Sequence, residues 1–402
     1  MSDVDYDVII VGGGLAGAAL ACALGGSALR VAVVEAQTLS GEWPAQQADI
    51  NGFDARVSAL TVASQHFLDD LGVWPALAEQ RVSPYQHMHV WDADGTGFVD
   101  FNAAEINQPL LGHIVENRLT VAALVAKLKQ FANIHCLDST KVAGLIGTEQ
   151  RRGLALDDGR EIFAAIIVAA DGANSRIRQQ AAFAMREWDY DHHAIVATVK
   201  TALPHQRTAW QRFLPEGPLA FLPLAGGESE QYSSVVWSAI PNYADNLMAL
   251  DDEAFSEQLA AAFENRLGAI ESVSRRFSFP LRQRHAQSYS QPGLVLVGDA
   301  AHSIHPLAGQ GINLGLKDVK VLSEEMLRAQ ARGLPMTEQS ILQRYQRRRK
   351  TDNLAMMASM EGFKRLFENS ALPIRWLRNS GMRLFNNTQS IKSQVMRRAM
   401  GL

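Results

Sequence analysis

The sequence predicts an α/β chain: a parallel sheet with helices, an inserted antiparallel-sheet α+β domain, and a C-terminal helical segment. Three observations predict this. Asp7–Val11 (DVIIV), a glycine cluster, the small-residue stretch Leu15–Leu24 and Leu29–Glu35 (LRVAVVE) read strand, turn, helix, strand. Ala164–Ala170 (AAIIVAA) and Leu294–Val297 (LVLV) repeat that buried-strand pattern, and each runs at once into a turn of glycine and aspartate. Between about Met185 and Phe279 the pattern changes to alternating segments such as Ala194–Lys200 and Ser233–Ile240, which read as antiparallel strands. From Thr337 onward the chain is polar, basic and helical in pattern. The expected division is 1–75, 101–184 and 280–336 for the discontinuous parallel-sheet domain. Residues 76–100 and 185–279 form the inserted domain, and 337–402 the helical segment.

Composition narrows the function. With 402 residues, 47% hydrophobic and 20% charged, the chain has the make-up of a folded protein of two or three domains. A net charge of −4 argues against whole-chain nucleic-acid binding. Two cysteines, Cys22 and Cys136, exclude a disulfide scaffold, a four-cysteine zinc site and a cysteine-ligated iron–sulfur cluster. The N-terminus lacks a basic signal region, and no apolar run approaches the roughly 20 residues of a membrane span. The expectation is a cytoplasmic protein that at most touches a membrane surface.

Gly12-Gly13-Gly14-Leu15-Ala16-Gly17 fits G-x-G-x-x-G between a strand and a helix. Gly12 serves the tight turn, Gly14 the approach of a pyrophosphate, and Gly17 close helix–strand packing. The helix start offers free N–H groups and a positive dipole end. Glu35, closing the second strand, is placed to hold ribose hydroxyls. A later strand delivers Gly298-Asp299-Ala300-Ala301-His302, and Pro306-Leu307-Ala308-Gly309-Gln310-Gly311-Ile312-Asn313 then opens another helix. Asp299 can accept from a ribityl hydroxyl, and the glycine-rich turn can present N–H donors to an isoalloxazine.

These two motifs, with Asp171-Gly172-Ala173-Asn174-Ser175-Arg176-Ile177-Arg178, resemble the aromatic-hydroxylase family of single-component FAD monooxygenases. The resemblance implies a Rossmann-like FAD-binding domain with an inserted substrate domain. It also implies reduction by NAD(P)H without a second nucleotide-binding domain, and oxygen transfer through a flavin hydroperoxide. Arg56–Leu60, Leu71–Trp74, Gly112–Asn117 and Ile304–Gly315 are similar, more narrowly, to the ubiquinone-biosynthesis hydroxylases. Within that group Trp188–Ala194 looks like the 2-polyprenylphenol hydroxylase acting on ring carbon five. Trp210–Phe213, Gly217-Pro218 and Phe221–Leu224 resemble its demethoxyubiquinol-hydroxylating relative, so the ring position stays open. The implied partners are a polyprenylated phenol, molecular oxygen, and a second copy or other ubiquinone-biosynthesis proteins.

The resemblance also assigns residues. Arg56 and Asn117 are expected near the flavin, with Asn117 preferred over Arg118 by its spacing to Leu124. Asp171 and Arg178 organise cofactor contacts and reductant docking. Main chain at Pro306, Gly309 and Gly311 faces the oxygen-reacting carbon, and Gly311, Ile312 and Asn313 join the cofactor-binding set. His192-His193 lacks partners at metal-ligand spacing and reads as surface or pocket residues. His302 reads as structural and Cys22 as packed core. No metal is expected. Two other readings use the same fold: a hydroxylase of soluble aromatic acids, or a non-catalytic flavoprotein within a lipid-synthesis complex.

From Lys364 to Leu402 eight basic residues face a single acid, Glu368, with large apolar residues interleaved. Three roles fit that composition: meeting an anionic membrane, packing on partner subunits, or covering the FAD domain with a solvated basic face.

Overall fold

A computed structural model of the chain describes residues 5–45, 49–149, 151–226, 230–303, 311–369 and 371–402. Five parallel strands form the spine of the first sheet, in the order Leu294–Leu296, Glu161–Ala169, Tyr6–Val11, Val31–Val34, Ile134–Leu137. Ile10 at the centre lies opposite Val168 on one side and Val33 on the other. Both faces are covered, so these strands are apolar throughout rather than alternating. Val8, Ile9, Ile10, Val33, Ile167 and Val168 are fully buried. Helices Leu15–Leu24 and Gly311–Ala331 pack against each other over this sheet. A hairpin, Val142–Gly147 and Arg152–Leu156, adds antiparallel to Glu161–Ala169.

The second sheet has nine strands. Its long strand, Met185–Thr201, pairs antiparallel with Tyr232–Ala239 and with Phe277–Ala286. A break in register between Asp189 and His193, with Asp191 at φ +50°, bends that strand. The sheet is not purely antiparallel as the sequence pattern predicts. His87–Asp92 runs parallel to Thr208–Leu214, because the chain enters this sheet twice, from two separate stretches, and their directions are set independently. Phe277–Ala286 is continuous through the expected boundary at 279/280, and its end pairs with His302–Ser303. A small third sheet, Val57–Thr61, Gly112–Glu116 and Ser83–Tyr85, was not foreseen.

Three helices close the chain: Gln339–Glu368, Leu372–Asn387 and Gln389–Met400. The first packs on Gly311–Ala331. The second lies along Phe98–Asn102, the edge strand of the second sheet. No described helix is long and apolar enough to cross a membrane.

Candidate active site

The recognised motifs meet at the carboxyl ends of the parallel strands, where open α/β sheets place their ligands. Val11 leads into Gly12, Val34 into Glu35, Ala169 into Asp171, and Leu296 into the turn Gly298–Ala300.

The glycines of the first turn do different work. Gly12 has φ +103°, and a Cβ there would stand 2.5 Å from the Ala170 carbonyl oxygen. A Cβ on Gly17 would lie 1.8 Å from the Gly12 carbonyl oxygen, so only hydrogen lets helix and turn close up. At Gly14 a Cβ would meet nothing within 4 Å. Gly14 is also the N-cap of Leu15–Leu24, and no side chain caps that helix. Free N–H groups therefore face open space, which suits a phosphate. Glu35 accepts from the Gly13 N–H at 2.7 Å and the Gln37 N–H at 2.9 Å. Each carboxylate oxygen keeps a further lone pair for a hydroxyl.

Asp171 accepts from the Arg176 and Ile177 N–H groups through Oδ2, at 2.8 and 3.3 Å. Its Oδ1 is buried without a partner among the described residues. Such an atom is costly unless a ligand supplies the donor. Arg178 is buried. It donates from Nη1 to the Ala300 carbonyl at 2.9 Å and from Nη2 to the Ala173 carbonyl at 2.7 Å. It thereby ties two of the motif loops together. Burial, then repulsion from Arg284, lowers its affinity for a proton.

Asp299 is open to solvent yet ringed by protein, the situation of a carboxylate on the floor of an open cleft. Crowding by protein raises its pKa above the ordinary carboxylate value, opposed by the charges of His302 and Arg56. That coupling brings Arg56 to the same cleft. The exposed Arg56 guanidinium also lies 5.7 Å from the Phe279 ring centroid of the second sheet. Asn117 opens helix Asn117–Leu128. Its N–H donates to the Arg56 carbonyl at 2.9 Å, and its Oδ1 accepts from Ser58 Oγ at 2.6 Å. Arg118 instead binds Glu116 and the Gly52 carbonyl.

Gly311, Ile312 and Asn313 begin helix Gly311–Ala331. The Asn313 side chain is buried. It accepts from the Thr61 N–H and Ser64 Oγ and donates to the Ala59 carbonyl. Its amide is engaged in holding the helix start to the small third sheet. Pro306 and Gly309 lie outside the described residues.

Sequence reasoning missed what supports the Asp299 turn. Asp318, fully buried, accepts from the Gly298 N–H at 3.1 Å, and it lies 2.5 Å from His302 Nε2 and 2.8 Å from Arg349 Nε. Asn353 extends the network to Tyr289 and thence to His285. Burial alone would raise the Asp318 pKa, but His302 and Arg349 outweigh it and hold the carboxyl below its ordinary range. An aspartate inside the apolar run Gly311–Val319 was the available signal. Burial pushes the Cys22 thiol up to about 12, an inert core group. His192 bonds the Tyr190 carbonyl, and no group of three potential metal ligands exists among the described residues.

Residues 5–359 match the family model described as "FAD binding domain". The chain belongs to that family. It is 36% identical over its full length, and over the full length of the relative, to 3-demethoxyubiquinol 3-hydroxylase of Escherichia coli. Ubiquinone hydroxylase UbiL of Rhodospirillum rubrum is also 36% identical, covering 100% of this chain and 90% of the relative. Human ubiquinone biosynthesis monooxygenase COQ6 is 31% identical, with 98% and 92% covered. In fold the chain is similar to Pseudomonas aeruginosa PqsL, with TM-score 0.77, 22% identity, and 94% of this chain and 99% of that one covered. It is also similar to p-nitrophenol 4-monooxygenase PnpA of Pseudomonas putida, with TM-score 0.77, 17% identity and 98% of each chain covered. The chain is thus an FAD-dependent aromatic hydroxylase of the ubiquinone-biosynthesis family. The uncapped helix start, the open cleft at Asp299 and the orphaned Asp171 Oδ1 fit the cofactor.

Proposed function

We propose that the protein hydroxylates the aromatic ring of a polyprenylated ubiquinone precursor. The full-length similarity to a demethoxyubiquinol hydroxylase carries this reading. Demethoxyubiquinol is the first substrate to test, since Trp210–Phe213 points the same way. Ring carbon five is the second reading, carried by Trp188–Ala194.

When bound, FAD supplies electron transfer from NAD(P)H and the activation of oxygen. The chain's residues bind, orient and shield. N–H groups behind Gly14 receive the pyrophosphate, Glu35 the ribose, and Asp299 the ribityl chain. Arg56 and Asn117 line the cleft from the small third sheet, and Asp171 offers its free oxygen to a donor. Arg178 positions the Asp171 and Asp299 loops relative to each other. Main chain at Gly311 and Ile312 would face the reacting end of the ring system, with Asn313 holding that helix start in place.

An apolar cluster of Phe53, Val57, Leu222, Leu224 and Tyr232 lies beside Arg56. Arg81, stacked 4.3 Å over Phe53, is already paired with Glu116 at 2.9 Å. The discontinuous first sheet acts as the FAD domain and the nine-stranded sheet as the substrate domain. Lipid analysis of a strain lacking the protein tests the reading: the expected result is accumulation of a polyprenylated precursor one ring hydroxyl short. Unaltered quinone content would overturn it, and accumulation of a different precursor names the other ring position.

A further inference from the structure

Helix Leu372–Asn387 is turned inside out. Its polar residues face the protein: Arg378 donates to Asp92 at 2.7 Å, and both are buried. Asn379 accepts from the Gly97 N–H at 2.5 Å, and Asn386 from the Asp100 N–H at 2.9 Å. Arg375 donates to the Asp94 carbonyl at 2.7 Å. The reason lies in what the helix covers. Phe98–Asn102 is the edge of the nine-stranded sheet, and an edge presents unpaired N–H and C=O groups. Only polar side chains satisfy them.

The opposite face is apolar and open. Leu372 is 76% exposed, Trp376 73%, Leu377 62% and Leu384 70%. Trp376, Leu377 and Leu384 fall within about 100° of one another around the helix, and Leu372 flanks them one turn before Trp376, so they form one patch. Nothing among the described residues covers this patch, and the helix is already anchored by its other side. Exposed patches of this kind mark interaction surfaces.

Charge identifies the occupant. Residues 371–402 contain six Lys or Arg and no Asp or Glu. Asp92, Asp94 and Glu105 neutralise Arg378, Arg375 and Lys392. Arg383, Arg397 and Arg398 are exposed and have no acidic partner among the described residues. Leucines and a tryptophan bordered by unneutralised cations match the surface of an anionic bilayer: apolar groups enter the acyl boundary and arginines meet the headgroups. We infer that the outer face of Leu372–Asn387 docks this protein on an anionic lipid surface. The inference deepens the proposed function, because a polyprenylated substrate resides in that lipid.

The experiment uses the full-length, FAD-loaded protein, sedimented with phosphatidylcholine vesicles with or without phosphatidylglycerol, at low and high salt. Wild type is expected to sediment with the anionic vesicles, and less so in high salt. A combined Leu372→Ser, Trp376→Ser, Leu384→Ser variant is expected to lose at least about tenfold in partition, with FAD content and native mass unchanged. Arg398→Gln, which alters no packed residue, should lose about fivefold. Wild type remaining in the supernatant overturns the inference, as does equal partition of the triple variant. A triple variant of reduced native mass also overturns it and makes the patch a contact between copies. No arm depends on turnover, so failure here leaves the ring-hydroxylation reading to the lipid analysis.

Discussion

Two helices that both carry leucines end in opposite situations. Leu15–Leu24 is built of alanine, leucine, glycine and one cysteine, and it is buried along most of its length. Leu372–Asn387 carries leucines and a tryptophan and leaves them in solvent. The difference comes from what each is laid against. The first rests on the face of a sheet, where side chains meet side chains and apolar groups are wanted. The second rests along the edge of a sheet, where main-chain polar groups must be satisfied. A helix against a face buries its apolar side, whereas one against an edge buries its polar side and presents the rest.

The largest test of this contrast is Gly17→Val. Its Cβ would fall 1.8 Å from the Gly12 carbonyl oxygen, which is backbone and cannot move aside. We expect a loss of about 3 kcal/mol or more, seen as a collapsed thermal midpoint or insoluble protein. A soluble variant of unchanged melting would mean the face-packed helix is not tightly fitted. Next is Arg378→Met on the edge helix. Removing one partner of a buried ion pair costs about 3–5 kcal/mol. Urea unfolding should show it, and limited proteolysis should cut first within 371–402. Protection equal to wild type would show that the polar face does not anchor the helix.

Gly14→Val separates ligand space from packing, because a Cβ there meets no protein atom within 4 Å. The apoprotein should melt as wild type does, while FAD affinity falls at least about tenfold, or about 1.4 kcal/mol. Flavin retained at wild-type affinity would displace the phosphates from this turn.

Acid should weaken the sheets between these two helices. Burial lowers His113 and His285 from 6.5 to about 4. Between those values the unfolded chain binds more protons than the folded one, so stability falls as pH drops from about 6.5 to about 4. His285→Gln should flatten that slope in urea titrations taken at stepped pH. An undiminished slope in the His285→Gln protein would assign it elsewhere. The smallest effect is expected for Leu384→Ser, at 70% exposure: within about 0.5 kcal/mol by chemical denaturation. A loss several times larger would mean the outer patch is packed after all.

Much of the first sheet was legible because its signals are local. A β-branched run, glycines at fixed offsets and an acid at the next strand's end all act within about thirty residues of each other. The tight turn at Gly12 and the close helix packing at Gly17, both read from spacing, are present in the geometry. Asp299 was legible for the same reason. Asp318 and Arg349 were not, since 31 residues separate them and only the packing of two helices joins them. The parallel pairing of His87–Asp92 with Thr208–Leu214 escaped too, because alternation reports which face is buried and not strand direction. Asn313 sat in a recognised motif, yet its amide serves the link to Thr61 and Ser64.

The basic C-terminal segment shows where sequence stops. Sequence alone determined that residues after Lys364 would be helical, cationic and amphipathic, as glycine spacing determined a tight turn at Gly12–Gly17. Which side of the final helices would face inward was settled only when Phe98–Asn102 became a sheet edge. Main-chain N–H groups at and just before that edge demanded Asn379 and Asn386, and the Asp92 carboxylate beside it demanded Arg378, all from a helix nearly three hundred residues away. Local turns are dictated by the steric limits of a few neighbouring residues. Orientation against a distant edge depends on hydrogen-bond demands that do not exist until the sheet has formed.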